Sequence, residues 1–158
     1  MSDTIRITAL TVTFNGMAFV ETFFKSLYAV DQRDVVLEVM LIDNGSTDGT
    51  VDWVRGNFPQ VRVIENDENN YARALNIGIA NSTGDYVVIT NNDATVHPDW
   101  LQGFLTVFKQ DEKIGAVQSK IYFAILCHFV SSNLSTLYQS RLRDVFMSIP
   151  LSRSVNSD

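Results

Sequence analysis

The stretch "GDYVVITNNDATVHPDWL", from Gly84 to Leu101, joins an apolar segment to a run of three polar residues. The apolar segment, Tyr86 to Ile89, has the composition of a buried parallel strand. Asn91, Asn92 and Asp93 follow it closely. Asn and Asp are common in turns, but the carboxyl end of a parallel strand is also where open α/β sheets bind ligands. The stretch therefore predicts either a turn or a ligand site, and the choice depends on what the other strands carry.

The rest of the chain alternates strand patterns with helix patterns. Between the strands, apolar residues recur at the i, i+3, i+4 spacing of an amphipathic helix. This alternation predicts an α/β fold, a Rossmann-like and mostly parallel sheet with helices on both faces. The predicted strands are Ile5–Phe14, Val35–Ile42, Val61–Glu65, Tyr86–Thr90 and Ile114–Lys120.

Turn formers and caps predict where three of the four helices begin or end. Ser46 or Thr47 is expected to cap the second helix, because Ser and Thr are frequent N-cap residues. Gly84 is expected near the end of the third helix, where glycine is the usual C-terminal residue. Pro98 is expected to begin the fourth helix, since proline suits the first helical turn.

Composition excludes several classes of function. The net charge of −6 over 158 residues argues against unspecific attraction to nucleic acid or anionic lipid. The longest apolar run, Ile121 to Val130, is far shorter than the roughly 20 residues of a membrane span, so we expect no crossing of the bilayer. A single cysteine, Cys127, fits a reducing compartment. We therefore expect a cytoplasmic location, either free or peripheral to the inner face of the membrane.

Three strands are followed by unusually polar loops, and right-handed crossovers place these loops on one edge of the sheet. The loops contain "NGM", "DNGSTDGT" and "NNDATV". Asp93 suits a divalent cation held by one carboxylate and by substrate phosphates, and Asp43 can accept a hydrogen bond from a nucleotide. Taken singly, each acid can equally be a turn residue. Both a G-x-G-x-x-G fingerprint after the first strand and a P-loop are absent from the sequence.

Taken together, the motifs resemble the nucleotide-binding half of family 2 glycosyltransferases, which have the GT-A fold. The resemblance covers residues 5–121. Within the family, the motifs are most similar to those of the rhamnosyltransferase-like branch, which builds bacterial surface polysaccharides. Its motifs, in chain order, are "LTVTFNG", "LIDNGSTDGT", "YARALNIGI", "TGDYVVITNNDATVHPDWL" and "IGAVQSKI". The resemblance implies a nucleotide-diphospho-sugar-binding domain over residues 1–121 and leaves residues 122–158 as an unmatched tail, truncated or diverged.

The resemblance also implies a nucleotide pocket at the ends of the first two strands. Thr13, Phe14 and Asn15 would line the pocket for the base and ribose. Asp43 would bond the base of a UDP- or dTDP-linked sugar. Asn70 stands where the family often has glycine, so a positive φ is expected there.

At the fourth strand, the resemblance implies that Asn92 faces the ribose or the diphosphate and that Asp93 binds the divalent metal, Mn²⁺ or Mg²⁺. Asn91 stands where many members carry the first Asp of a D-x-D motif, so the site would have one charge fewer. Arg73 either reaches a phosphate or is solvated on its helix.

The implied reaction is metal-assisted, inverting transfer of a sugar from a nucleotide-diphosphate donor to a glycan or lipid-linked acceptor hydroxyl, in polysaccharide and cell-wall biosynthesis. The general base cannot be named from this sequence. The alternative is a non-catalytic nucleotide-sugar-binding fragment that lacks the acceptor half. A nucleotidyltransferase would bring a basic, glycine-rich loop near the first strand, and this chain has none. The apolar run after residue 121 predicts self-association, as a homodimer.

Overall fold

The structure is a computed structural model that describes residues 4–119 and the backbone of residues 148–150. Within these residues there are four helices and five strands. The helices alternate with the first four strands, and all five strands form one sheet. The elements are β1 (Ile5–Thr13), α1 (Met17–Tyr28), β2 (Val35–Asp43), α2 (Thr50–Asn57), β3 (Arg62–Glu65), α3 (Tyr71–Asn81), β4 (Tyr86–Asn91), α4 (Trp100–Phe108) and β5 (Ser148–Pro150).

The sheet has the strand order β3-β2-β1-β4-β5, and its first four strands are parallel. β1 lies between β2 and β4, so the carboxyl ends of these three strands are neighbours. Thr13 pairs in register with Asp43, and Val12 pairs with Asn91. This register places the predicted site residues of three different strands on one edge of the sheet and confirms the mostly parallel α/β fold.

Alternating side chains of the central strands pack on opposite faces of the sheet. One core joins alternate β1 and β2 residues such as Ile7 and Leu41 to helices α1, α2 and α4. The other core contains Leu10 and Met40 of the same strands, together with Ala74 of α3. Helices therefore cover both faces, as the sequence predicts. The i, i+3, i+4, i+7 spacing of Val20, Phe23, Phe24 and Leu27 predicts one apolar face for α1, and all four side chains are buried.

The prediction of a fifth parallel strand at Ile114–Lys120 is wrong for residues 114–119, which form no strand. None of these six residues is buried, so their apolar side chains have no core face to pack against. The edge of β4 is instead paired with β5, which runs antiparallel. Lys120 and the predicted domain boundary at residue 121 lie outside the described residues.

The predicted cap of α2 is also wrong. The N-cap position belongs to Gly49, whose φ of 86° lies in the left-handed region that favours glycine. Asp48 accepts hydrogen bonds from the Thr50 backbone N–H at 3.0 Å and from the Thr50 hydroxyl at 2.5 Å. Ser46 does not cap the helix, because its hydroxyl accepts a bond from another loop. Thr47 does not cap it either.

Two predictions about α3 need correction. Asn70 has a φ of −134° rather than a positive value, and its side-chain oxygen accepts the Arg73 backbone N–H at 3.0 Å, so it is an N-cap residue. The helix ends at Asn81, before Gly84. A Cβ at Gly84 would lie 2.6 Å from the backbone nitrogen of Thr8. Glycine is needed there for close approach to β1, not as a helix cap.

The first turn of α4 lies slightly later than predicted. The helix begins at Trp100, with Asp99 at the N-cap position, so Pro98 precedes it. The spacing of Leu101, Phe104, Leu105 and Phe108 predicts one apolar face, and the first three are buried while Phe108 is partly buried against the same core. No helix among the described residues has both the length and the apolar character that crossing a membrane requires.

Candidate functional site

The loops after β1 and β2 are bonded to each other across the edge of the sheet. The Asn15 backbone N–H donates to the Ser46 hydroxyl at 2.8 Å, and the Asn15 side-chain oxygen accepts from the Thr47 N–H at 2.9 Å. The Met17 N–H donates to the Asp48 carboxylate at 2.9 Å. These bonds confirm that the two predicted polar loops converge.

The loop after β4 joins them through Asn92. Its side-chain amide donates to the Thr13 hydroxyl at 2.7 Å. Gly16 lies against this pair, because a Cβ there would come within 2.2 Å of Thr13 Oγ1 and 2.3 Å of Asn92 Nδ2. Sequence reasoning did not find this role of Gly16, which shows only when the neighbouring loop is in place. All three predicted loops thus meet in one cluster.

Asp43 combines the two roles that the sequence leaves open. One carboxylate oxygen accepts the backbone N–H groups of Gly45 and Ser46, at 3.0 and 2.8 Å, as a turn residue does. The other oxygen, Oδ1, is buried and has no hydrogen-bond partner among the described residues. The residue is only 2% exposed. An unpaired buried acceptor costs free energy, which a hydrogen bond to Oδ1 would lower.

The three residues at the end of β1 lie in different environments. Thr13 is buried and holds Asn92. Phe14 is 51% exposed, so its ring is the apolar surface beside the loop cluster. Asn15 has a φ of 51°, in the left-handed region, and its side-chain oxygen is engaged by Thr47. Of these three residues, only Phe14 exposes its ring, whereas the Thr13 hydroxyl and the Asn15 side-chain oxygen join loops.

Asn91 and Asp93, at the end of β4, are both exposed. The Asp93 carboxylate makes no hydrogen bond or ion pair with any described residue. In the same part of the chain, no group of three or more His, Cys, Asp or Glu residues could hold a metal ion. One free carboxylate fits the sparse mode, in which Mg²⁺ or Mn²⁺ takes its other ligands from phosphate oxygens and water. It does not fit a cage built from protein ligands alone.

Asp48 is the charged centre of the bonds between the first two loops. Desolvation raises the pKa of its carboxyl, but hydrogen bonds from Thr50 and Met17 outweigh this and hold the pKa below its ordinary value. The carboxylate is thus kept ionised where it ties the start of α1 to the start of α2. Sequence reasoning missed this role. Its signal was an Asp directly before the glycine and threonine that begin a helix.

Asn66 is a second buried polar residue that the sequence reasoning missed. Its side-chain amide donates to the Asn44 side-chain oxygen at 2.9 Å and to the Glu68 carbonyl at 2.6 Å, and its backbone N–H donates to the Asp43 carbonyl at 2.7 Å. Asn66 therefore joins the end of β3 to the end of β2. Arg73, which sequence reasoning left either near a phosphate or solvated, pairs with Glu68 at 2.7 Å and with Asp67 at 3.0 Å.

A polar depression of about 280 Å³ lies beside α2, and Ser46 and Thr47 of the loop after β2 form part of its lining. Its lining includes Arg55 and Glu65, which form an ion pair at 2.6 Å. None of the predicted site residues lines it. The pairing of its only lining cation with an acid leaves no free positive charge for a phosphate among the residues that line it.

The sequence model of the family described as Glycosyl transferase family 2 matches residues 8–144. The chain belongs to this family. The curated relatives of this glycosyltransferase chain include the uncharacterized glycosyltransferase YibD of Escherichia coli, 28% identical over 71% of this chain and 33% of the relative. They also include the N-acetylglucosaminyl-diphospho-decaprenol L-rhamnosyltransferase of Mycobacterium tuberculosis, 30% identical over 74% of this chain and 41% of the relative. The chain spans less than half the length of each.

Solved structures agree with the family and with the GT-A fold. The mannosyltransferase PcManGT of Pyrobaculum calidifontis, in complex with GDP-Man and Mn²⁺, is similar with a TM-score of 0.67 and 31% identity. The similarity covers 75% of this chain and 36% of that one. TarS of S. aureus, in complex with UDP-GlcNAc, has a TM-score of 0.60 at 18% identity, over 68% of this chain and 32% of that one, and supports the fold alone. The family 2 chain therefore contains the GT-A α/β domain that its motifs predict.

Proposed function

We propose that residues 4–119 form the donor-binding site for a nucleotide-diphosphate sugar, and that the protein transfers this sugar to a glycan or lipid-linked acceptor. One observation carries the proposal. The loops after β1, β2 and β4 converge around Asp43, which has an unpaired buried carboxylate oxygen, and Asp93, which has a free exposed carboxylate. The unpaired Asp43 oxygen suits a ring N–H of a base, and the free Asp93 carboxylate suits a metal–diphosphate.

In this proposal Asp43 Oδ1 accepts the ring N–H of the base, and the exposed Phe14 ring packs against the base or ribose. Uracil, thymine and guanine each have a ring N–H that can donate in this way. The similar mannosyltransferase structure holds GDP-Man, so guanine belongs in the test beside the uracil and thymine expected from the sequence. Asp93, beside Asn91, would hold the divalent ion.

A divalent ion bound there would supply positive charge next to the diphosphate leaving group. The chain's own part is to orient the donor, so that an acceptor hydroxyl attacks the anomeric carbon in line and inverts it. That step also needs a base to take the hydroxyl proton, and no described residue is assigned to it. Donor binding and transfer are thus separate claims with separate tests.

Calorimetric titration tests donor binding. UDP, dTDP and GDP are each titrated with and without Mn²⁺ into wild type, Asp43→Asn, Asp93→Asn and Glu112→Gln. Glu112 is a matched control, because it is an exposed acid after α4 that makes no hydrogen bond or ion pair with the described residues. We expect one nucleotide to bind, Asp43→Asn to weaken it in both conditions, and Asp93→Asn to remove only the gain from Mn²⁺. Failure of all three nucleotides to bind would refute the proposal.

A second assay measures whether the donor sugar is released or transferred to an acceptor. Either result would distinguish an enzyme from the alternative, a nucleotide-sugar-binding fragment without activity. We propose that the whole protein is an enzyme and that it catalyses inverting sugar transfer in polysaccharide or cell-wall synthesis. This proposal is supported by the relatives, which include a rhamnosyltransferase that acts on a decaprenol-linked sugar. Homodimer formation and a location in the cytoplasm or at the inner face of the membrane stay predictions.

A further inference from the structure

Thr13 is a fixed point in the loop cluster because it ends β1, a central strand of the sheet. It pairs in register with Asp43, its carbonyl accepts the Asn44 N–H at 2.8 Å, and its side chain is buried. The hydroxyl of this residue accepts the Asn92 side-chain amide at 2.7 Å. The Asn92 side chain is therefore tied to a strand that has partners on both sides.

Gly16 closes this contact from the other side. A Cβ at Gly16 would lie 2.2 Å from Thr13 Oγ1 and 2.3 Å from Asn92 Nδ2, closer than Cβ atoms come to other heavy atoms. The φ of Gly16 is −94°, which any residue adopts. Glycine is therefore needed here for space alone. A side chain there would force the Thr13 hydroxyl or the Asn92 amide to shift and would disturb the hydrogen bond between them.

Asp93 follows Asn92 directly and has little else to hold it. Its carboxylate has no partner among the described residues. The backbone bond that closes the turn, from the Ala94 N–H to the Asn91 carbonyl, is 3.3 Å long, beyond the usual range. The next anchor along the chain is the Val96 N–H on the Ser26 hydroxyl, at 3.2 Å. Of these three bonds near Asp93, the one from the Asn92 side chain is the shortest.

We propose that Asn92 is a positioning residue for Asp93, held on Thr13 in the space that Gly16 leaves open. This role replaces the direct contact with ribose or diphosphate that the resemblance implies for Asn92. The inference rests on the proposed function, because it assumes that Asp93 meets a metal–diphosphate. It predicts that the contact sets how much Mn²⁺ strengthens nucleotide binding, while binding without metal depends on the pocket around Asp43.

The test compares Asn92→Ala, Gly16→Ala and the control Gly56→Ala, each alone. Gly56 lies in α2, and a Cβ there meets no atom within 4 Å. Calorimetry gives the nucleotide affinity with and without Mn²⁺, using whichever of UDP, dTDP and GDP binds wild type. We expect both site variants to reduce the gain from Mn²⁺ about tenfold, as loss of about one hydrogen bond does. Affinity without metal should stay within about twofold of wild type, and Gly56→Ala should match wild type throughout.

A double-mutant cycle with Asp93→Asn separates positioning from contact. If Asn92 acts only through Asp93, adding Asn92→Ala to Asp93→Asn changes the affinity no further. An additional loss in that background, or an equal loss with and without Mn²⁺, would show direct contact with the ligand and overturn the inference. Thermal unfolding of each variant reports folding. Should Gly16→Ala not fold, the half-buried Asn92→Ala carries the test.

The remaining outcomes separate this inference from the proposed function. If wild type gains affinity from Mn²⁺ and Asn92→Ala keeps the whole gain, the positioning role is wrong and the donor site stands. If wild type binds nucleotide without any gain from Mn²⁺, the metal role of Asp93 and the positioning role of Asn92 both fall. If wild type binds no nucleotide, the proposed function falls with them.

Discussion

Replacing Asp48 by Asn should loosen the two loops that surround Asp43. The Asp48 carboxylate accepts the Met17 N–H with one oxygen and two Thr50 groups with the other. Asn keeps one acceptor oxygen and turns the other into an amide donor. That donor must face either the Met17 N–H or the Thr50 groups, so one or two of the three hydrogen bonds are lost.

The size of the effect follows from this count. Each lost bond costs about 1 kcal/mol net, the value for a neutral hydrogen bond, because solvent screens the charge of the exposed Asp48. Asp48→Asn should therefore lower the free energy of unfolding by about 1–2 kcal/mol, equivalent to about 4 °C in the melting temperature of a chain this long. Asp52→Asn is the control, because Asp52 also lies in the first turn of α2 but bonds no described residue. It should cost only about 0.3 kcal/mol, through the helix dipole.

The Asp48 effect should also depend on pH. Its pKa is lowered in the folded state, so the ionised form stabilises the fold fully above the unfolded pKa of about 3.9. This contribution is lost as the pH falls through the lower folded pKa. Urea unfolding of wild type and both variants, at pH 7 and in steps below pH 4, measures it. Equal stability of Asp48→Asn and Asp52→Asn at pH 7 would refute the argument that Asp48 joins the loops.

Three further predictions concern packing, charge and the pocket surface. Gly78→Ala should destabilise the fold by about 1–2 kcal/mol, because its Cβ would lie 2.3 Å from the buried Leu10 side chain. Gly56→Ala, whose Cβ meets no atom within 4 Å, should instead stabilise the fold by about 0.5 kcal/mol. Chemical denaturation measures both changes. Burial raises the pKa of Glu38, but hydrogen bonds from two threonines outweigh this effect, so the pKa is lowered. Glu38→Gln should therefore lower the free energy of unfolding by about 1 kcal/mol at pH 7 and by less below the unfolded pKa of about 4.3, as urea titrations at both pH values would measure. Phe14→Ala should leave the melting temperature within about 1 °C but weaken nucleotide binding about tenfold by calorimetry, because the ring is exposed and free to stack.

The fold could be predicted largely from the sequence because its signals are local. The strand and helix alternation gave the four parallel strands, and the apolar spacing in α1 gave its buried face. The predicted strand failed at residues 114–119 because its apolar residues have no core to cover, which a local pattern does not reveal. The caps failed for a similar reason, since Ser46 is engaged by Asn15 across the loops.

The candidate site could be predicted by position but not by role. Polar residues at strand ends indicate the edge where a ligand binds, and Asp43 and Asp93 both lie there. Whether a polar group is free or already bonded depends on residues far away in the chain. The Thr13 hydroxyl is engaged by Asn92, and the importance of Gly16 comes from that pair rather than from its own turn.

Locating the metal by NMR tests most directly whether Asp93 holds it at the edge of the sheet. A ¹⁵N-labelled chain is titrated with its nucleotide and Mn²⁺, and paramagnetic broadening of the backbone amides is compared with a Mg²⁺ reference. If Asp93 holds the metal, we expect selective broadening at residues 91–94 and in the loops around Gly16 and Gly45, and loss of this pattern in Asp93→Asn. Broadening centred elsewhere, such as on the exposed acids Asp67 and Glu68, or an unchanged pattern in Asp93→Asn, would contradict this role of Asp93.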